Sequence, residues 1–322
     1  MWIAYASAAA ICFGLRGILY QWTSQKPLDR SLMLFGVYLF GTIVSLTATS
    51  ITGQPWTEGA LMGLVMGLFS YISNASMYKG FAVGKTSLVA IITALPAVVV
   101  IVGAYVLWQE KLNFGQIIAF VVILGGIVMI RYSNELSFSN LNGVQWAIIA
   151  MLGFAVTDLS SKQATIWNGF TFPTLTLMYG TGTAMFFSTW LRSVLKARPA
   201  KALSVAGRSF QLAAAEAAVS KLAGTDDEEK TAVLPAVEDD LWPYGKTVVW
   251  GMVVGITNIS GMVLLMPAFK YGVTGLVSAI SAMSVVLILL YARLILRDPF
   301  SRMETAGALL TLAGIVVLRL LG

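Results

Sequence analysis

The sequence predicts an all-α membrane protein of ten transmembrane helices arranged as two inverted five-helix repeats, and three observations predict it. The 322-residue chain is 57% apolar and 11% charged, with a mean hydropathy of +0.80. A soluble fold of that composition has too few charges to coat its surface. Apolar runs of spanning length recur ten times between short polar breaks, and ~20 apolar residues cross a bilayer as one helix. Finally, a shift of 188 positions lays the third to fifth runs on the eighth to tenth without a gap.

The runs lie near 2–22, 31–52, 59–79, 86–108, 114–132, 144–165, 172–194, 247–268, 273–294 and 303–321. Met1 to Tyr20 lacks a basic leading region and a small-residue cleavage site, so it reads as a retained first span rather than a removed signal peptide. Lys26-Pro27-Leu28-Asp29-Arg30 separates the first run from the second, and Gly53-Gln54-Pro55 the second from the third. Pro96 falls inside the fourth run, where it removes a backbone hydrogen bond and is expected to kink or hinge the helix. Ser139-Asn140-Leu141-Asn142-Gly143 divides the fifth run from the sixth. The connection after the seventh differs, because residues 195–245 hold eight of the fifteen acids, with the clusters Asp226-Asp227-Glu228-Glu229 and Glu238-Asp239-Asp240. Inside it Leu203, Ala206, Phe210, Ala213 and Ala217 recur at helical spacing. They predict a short amphipathic surface or interfacial helix followed by an acidic linker. The expected organisation is a first repeat over 1–132 and a second over 143–322, with 195–245 as an extramembrane insertion.

Under the 188 shift Gly63 falls on Gly251, Gly67 on Gly255, Phe81 on Phe269, Gly84 on Gly272 and Thr86 on Thr274, and Gly126-Ile127-Val128 falls on Gly314-Ile315-Val316. A shift of 144 lays the first run on the sixth, with Trp2 on Trp146. Five spans is an odd number, so the second half enters the membrane from the opposite side. That is an inverted-topology repeat, the usual ground plan of an alternating-access transporter.

The residues also carry a family resemblance. Gly84-Lys-Thr-Ser-Leu-Val-Ala-Ile-Ile-Thr-Ala-Leu-Pro96, then Trp108-Gln-Glu110-Lys-Leu112 and the Gly125-Gly126 span, resemble the EamA domain, the repeat unit of the drug/metabolite transporter superfamily. The second copy departs from the pattern at Ser284, in place of Pro96, and at Asp298-Pro299-Phe300, in place of Glu110-Lys111-Leu112. The resemblance extends over nearly the whole chain outside 195–245. It implies ten helices, a central cavity walled by the first, third, fourth, sixth, eighth and ninth, and export of amino acids or other metabolites.

Composition excludes much else. The chain has no histidine, which removes imidazole bases and His-ligated metals. Its single cysteine, Cys12, forms neither an internal disulfide nor a zinc site and reads as an inert packing thiol. The net charge of +6 is scattered through short loops without interleaved aromatics, which argues against nucleic acid. Gly80-Phe-Ala-Val-Gly84-Lys85-Thr86 is one residue too short for a phosphate-binding loop. No cofactor, metal or enzymatic activity is expected, and an intramembrane hydrolase would have a single mid-membrane acid to work with.

Two charges sit well inside spans, Arg16 in the first and Asp158 in the sixth. An ionised group near the bilayer centre costs ~2.5–3.5 kcal/mol on insertion scales, so it faces protein or water and has a use. Both stand about fifteenth in their own helices, and they are expected to face each other across, or line, the central cavity. Arg16 is then the anchor for a substrate carboxylate and Asp158 its exchangeable counter-ion, the alternative being a static ion pair that fixes packing. Burial and a nearby arginine act on a carboxyl in opposite senses, which makes Asp158 the candidate proton-coupling residue. Gly63, Gly67, Ser70 and Asn74 share one face of the third run, and Gly251, Gly255, Asn258 and Met262 the matching face of the eighth. The glycines read as close-packing positions, whereas Ser70, Asn74 and Asn258 either bind the polar end of a substrate or bond between helices. Tyr20, one turn after Arg16, is a further cavity candidate. Glu110 and Asp298 read as caps or partners for Lys111 and Arg297. Trp22, Trp56, Trp108 and Trp242 read as membrane-belt anchors.

Sixteen basic residues follow odd-numbered spans against four on the other side, or eight against four without Arg192 to Lys246. The charge rule therefore puts the long loop in the cytosol and the termini outside, whereas the resemblance implies termini inside. The expected function is secondary active transport of a small metabolite across the plasma membrane by alternating access, in the export direction: an amino acid or related zwitterion or anion. The expected partners are the lipid bilayer, the solute and protons. A multidrug or cation exporter would need an acidic, more aromatic cavity, which Arg16 opposes. A membrane scaffold or sensor acting through 195–245 is the alternative from another class, and deletion of that segment separates the two.

Overall fold

The computed structural model describes residues 1–24, 26–83, 92–93, 95–132, 143–222, 241–284, 286–287, 291 and 302–321. These residues are helical, with no strand among them. The helices are α1 (Trp2–Ser24), α2 (Arg30–Thr52), α3 (Met62–Val83), α4 (Pro96–Trp108), α5 (Phe114–Tyr132), α6 (Val144–Ile166), α7 (Thr171–Leu222), α8 (Tyr244–Tyr271), α9 (Thr274–Ala282) and α10 (Arg302–Leu321), with a 3-10 turn at Glu58–Leu61 before α3. The segments Trp2–Tyr20, Arg30–Thr52, Glu58–Met77, Val144–Ile166 and Tyr244–Tyr271 are long and apolar enough to cross a membrane. Outward-facing Leu15, Ile43, Val102, Val121 and Ile256 are each more than a third exposed, an apolar surface that lipid covers and water would not tolerate.

Local chemistry sets the ends. Asp29 caps α2 by accepting hydrogen bonds from the amides of Ser31 and Leu32 at 2.8 and 3.1 Å, which satisfies two of the free N–H groups of the first turn. Gly53 closes α2 at φ 62°, and Gly143 opens α6 at φ 91°, left-handed conformations that glycine adopts without strain. The Ala-rich stretch expected as a separate surface helix instead continues α7, whose backbone is helical for 52 residues to Leu222. The Ala-rich composition of that stretch favours helix and lets α7 run on without a break. The acidic clusters, the motif stretch Gly84 to Ile91 and Asp298 lie outside the described residues.

Pro96 differs from expectation. It opens α4 at the N1 position, where a missing N–H costs nothing, and is not buried within a continuous helix. The chain turns just before it through bonds from the Leu95 amide to the Ile92 carbonyl (3.1 Å) and from Val98 to Leu95 (3.2 Å). The same two bonds recur 188 residues later, Met283 to Ile280 (3.0 Å) and Val286 to Met283 (2.8 Å), although Ser284 stands where the proline was. The break therefore does not depend on proline.

Packing is matched in the same way. α1 packs on α8, as α6 does on α3; α2 packs on α8, as α7 does on α3; and α2 meets α7, α4 meets α9 and α5 meets α10. A side chain at Gly63 would strike the Thr174 carbonyl and one at Gly67 that of Met178, while one at Gly251 would strike the Met33 carbonyl and one at Gly255 would crowd that of Val37. Only glycine permits this backbone approach. At the α2–α7 contact, Tyr38-Leu39-Phe40-Gly41-Thr42 meets Tyr179-Gly180-Thr181-Gly182-Thr183. The Tyr179 ring lies against Gly41 and the Tyr38 ring against Gly182. The two rings are 5.6 Å apart, and the Thr42 and Thr183 hydroxyls are 3.0 Å apart.

The helix directions follow from contacts at the ends. Trp2, opening α1, abuts Gly272 just past the end of α8, and Trp22, near the other end of α1, packs on Trp242 and Trp250 at the start of α8. Lys162, in the last turns of α6, bonds to the carbonyls of Phe269 and Gly272. α6 thus runs with α8, and α1 runs against both.

Candidate functional site

Arg16 is the centre of a buried polar cluster. Its Nη1 donates to Asn258 Oδ1 at 2.6 Å. Its guanidinium lies 4.6 Å from the centre of the Phe13 ring and 5.9 Å from that of Tyr20, residues one turn either side on α1. Ring faces attract the cation and so offset part of its lost hydration. The Nε of Arg16 is buried with no partner among the described residues.

Around Arg16 the structure gathers residues from five helices. Tyr38 and Tyr179 are within electrostatic reach of the guanidinium. The Tyr38 hydroxyl is hydrogen-bonded to the Ser70 hydroxyl and accepts from Asn74 Nδ2 at 3.3 Å. Asn74 also donates to the Ser70 carbonyl at 2.7 Å. Tyr179 is fully buried, yet its hydroxyl has no partner. Of the residues expected at a site, Arg16, Tyr20, Ser70, Asn74 and Asn258 therefore come together, joined by Tyr38 and Tyr179, which sequence reasoning missed. The signal was present as Tyr-x-x-Gly-Thr, which recurs at a shift of 141.

Asp158 is elsewhere. It accepts from the Ser278 hydroxyl on α9 at 2.5 Å, and no ion pair joins it to Arg16 among the described residues. The cause is direction. Equal depth from each N-terminus means unequal depth in the membrane when α1 and α6 are antiparallel, and at 1.5 Å per residue the two lie about 9 Å apart along the axis. Asp158 stands between the Arg16 cluster and the end of the molecule that carries Trp2 and Gly272.

That end is tied by a second cluster. Glu110 and Lys162 form an ion pair at 3.1 Å, their side chains 21% and 12% exposed. Lys162 Nζ also donates to the Phe269 and Gly272 carbonyls at 3.0 and 3.1 Å. Glu110 accepts from the Thr274 amide and hydroxyl, both at 3.0 Å, and so caps α9. Glu110 is a cap, as expected, but its ionic partner is Lys162 and not the adjacent Lys111. Trp108 donates to Gln163 at 3.0 Å beside it. At the opposite end Trp22, Trp242 and Trp250 pack on one another, so two of the expected belt anchors also pack between helices. Trp56 is 54% exposed, as a belt residue would be.

Helices long and apolar enough to span, an apolar outer surface and a cationic cluster buried among them define a multi-pass, all-helical membrane protein with a polar interior site. The sequence model of the EamA-like transporter family matches residues 1–132 and 233–320, and the chain belongs to that family, within the drug/metabolite transporter superfamily. The match leaves 133–232 uncovered, with α6 and α7, a wider gap than the 195–245 insertion. No curated protein sequence matches the chain. One solved crystal structure is similar at a TM-score of 0.69 and 16% identity, over 99% of this chain and 97% of that one; at that identity the likeness is one of fold.

Proposed function

We propose that this protein is a secondary active transporter built from two inverted five-helix repeats, 1–132 and 143–322. It moves a small metabolite, an amino acid or a related zwitterion or anion, out across the plasma membrane by alternating access. The observation that carries the proposal is Arg16, a cation held by Asn258 and two aromatic rings beside the self-matched contact of α2 with α7. A part-buried charge placed between packed halves is where a transporter binds its solute. The recurrence of packing pairs and of the turn bonds at Leu95 and Met283 supports the two-repeat plan. Asp158, displaced from Arg16 toward one end, serves as the proton-coupling residue and not as the counter-ion of the anchor.

The test is uptake by proteoliposomes of a labelled panel of amino acids and organic acids, with and without a pH gradient. Arg16→Ala is expected to abolish transport while the protein stays folded. Asp158→Asn is expected to remove the response to the pH gradient. Normal transport by both variants would show that these charges only support packing.

A further inference from the structure

Two polar groups in the Arg16 cluster are buried without partners, and both are donors. One is Arg16 Nε and the other is the hydroxyl of Tyr179. Leaving a buried donor unpaired costs about 1–3 kcal/mol, a cost that an acceptor brought to the cluster would relieve. The matched packing explains why they arise here. The shift of 141 pairs Tyr38 with Tyr179, and the shift of 188 pairs Ser70 with Asn258 and Asn74 with Met262. Tyr38 is satisfied by Ser70 and Asn74. The corresponding residues for Tyr179 are Asn258, whose Oδ1 is taken by Arg16, and Met262, whose thioether is only a weak acceptor. The matched packing thus departs from symmetry at these donors.

Resting on the transport reading above, we propose that Arg16 Nε and the Tyr179 hydroxyl form the oxyanion subsite of this protein, and that its ligand class is the monocarboxylate. A carboxylate presents two oxygens to two donors, one of them on a guanidinium, which is the favoured geometry for such a pair. A phosphate would bring a second charge and a third oxygen, and no second cation stands in the cluster among the described residues. Asp158 is bonded to Ser278 and forms no ion pair with Arg16 among the described residues, so the subsite itself offers no acid to an ammonium on the same ligand. The subsite therefore recognises the carboxylate and leaves an amino group optional. Tyr179 is a specificity-determining residue: its ring packs on Gly41 whether or not the hydroxyl is present.

The experiment uses the full chain in lipid nanodiscs and reads binding by ligand-induced thermal shift. The probes are acetate, pyruvate, benzoate and the amino acids, each with its primary amide, and inorganic phosphate. Wild type is expected to be stabilised by at least one carboxylate and not by its amide. Tyr179→Phe is expected to bind that carboxylate roughly tenfold to a hundredfold more weakly, the loss of one hydrogen bond to a charged group. Its ligand-free melting temperature should be unchanged, because no native bond is lost. Tyr38→Phe, which breaks the bonds to Ser70 and Asn74, should lower ligand-free stability instead. Unaltered carboxylate affinity in Tyr179→Phe overturns the proposal. So does equal binding of the amides, binding of phosphate in preference to every carboxylate, or no response to any carboxylate at millimolar concentration. Carboxylate binding without uptake in vesicles would leave the subsite standing and remove the transport reading; uptake that ignores Tyr179→Phe would do the reverse.

Discussion

Replacing Lys162 with methionine removes the cation from the Glu110 cluster while keeping an unbranched side chain of similar length. Three contacts go at once: the 3.1 Å ion pair with Glu110 and the bonds to the Phe269 and Gly272 carbonyls. Breaking one partner of a fully buried pair costs about 3–5 kcal/mol, chiefly through the charge left behind. Here Glu110 keeps its bonds to Thr274 and is 21% exposed, and Lys162 is 12% exposed. The expected loss is therefore smaller, about 2–4 kcal/mol. For a chain of this size that is a fall of roughly 3–6 °C in melting temperature. Cys12, the single thiol, is half-buried in α1, so its labelling by a thiol-reactive dye on heating reports unfolding. In the double variant Lys162→Met with Glu110→Gln the stranded charge is gone, and part of the loss should return. A melting temperature within about 2 °C of wild type for Lys162→Met, or full additivity of the two substitutions, would refute the assignment of this cluster as a coupled tie between α6, α8 and α9.

Three further outcomes are expected. Gly251→Ala drives a methyl group into the Met33 carbonyl and the Gly36 Cα and should destabilise by about 2–3 kcal/mol, whereas Gly180→Ala, with nothing within 4 Å, should be neutral or stabilising in the same melting experiment. Asn258→Asp gives Arg16 an internal counter-ion, so carboxylate affinity should drop at least tenfold in nanodisc binding while stability holds. For Asp158→Asn, uptake should persist without its response to a pH gradient, because an amide still accepts from Ser278 but no longer exchanges a proton.

Sequence reasoning reached the local and the periodic. Observed ends such as Arg30–Thr52, Phe114–Tyr132 and Val144–Ile166 fall within a residue or two of the expected ones, since capping residues and apolar run length are written locally. The stripe of Gly63, Gly67, Ser70 and Asn74 was visible for the same reason, and its glycines do pack on α7. What escaped depends on the third dimension. Arg16 and Asp158 look equivalent by position, but antiparallel helices put them at different depths. The choice of Lys162 over Lys111 as partner for Glu110 comes from where two distant helix ends meet, which no spacing records. Pro96 drew attention to a break that Met283 and Ser284 make equally well, because the turn belongs to the packing and not to the imino ring. Tyr38 and Tyr179 were hidden since α2 aligns on α7 at its own offset, different from those that align the neighbouring helices.

The Thr42–Thr183 contact has a mechanical meaning. If the two halves trade roles between the outward-open and inward-open states, every contact between unlike positions is exchanged for its counterpart, and its energy tips the balance one way or the other. A contact between like positions is exchanged for itself. The seam of Tyr38, Gly41, Thr42 and their counterparts on α7 then behaves as a fulcrum: it bears load throughout the cycle and contributes equally at both ends. The asymmetric ties, Glu110 with Lys162 at one end and the tryptophan cluster at the other, are the weights on the two arms. One is an ion pair and the other aromatic stacking topped by Lys26 and Lys246, so salt and temperature act on them unequally, and in such a cycle the resting tilt would follow the surroundings as well as the solute.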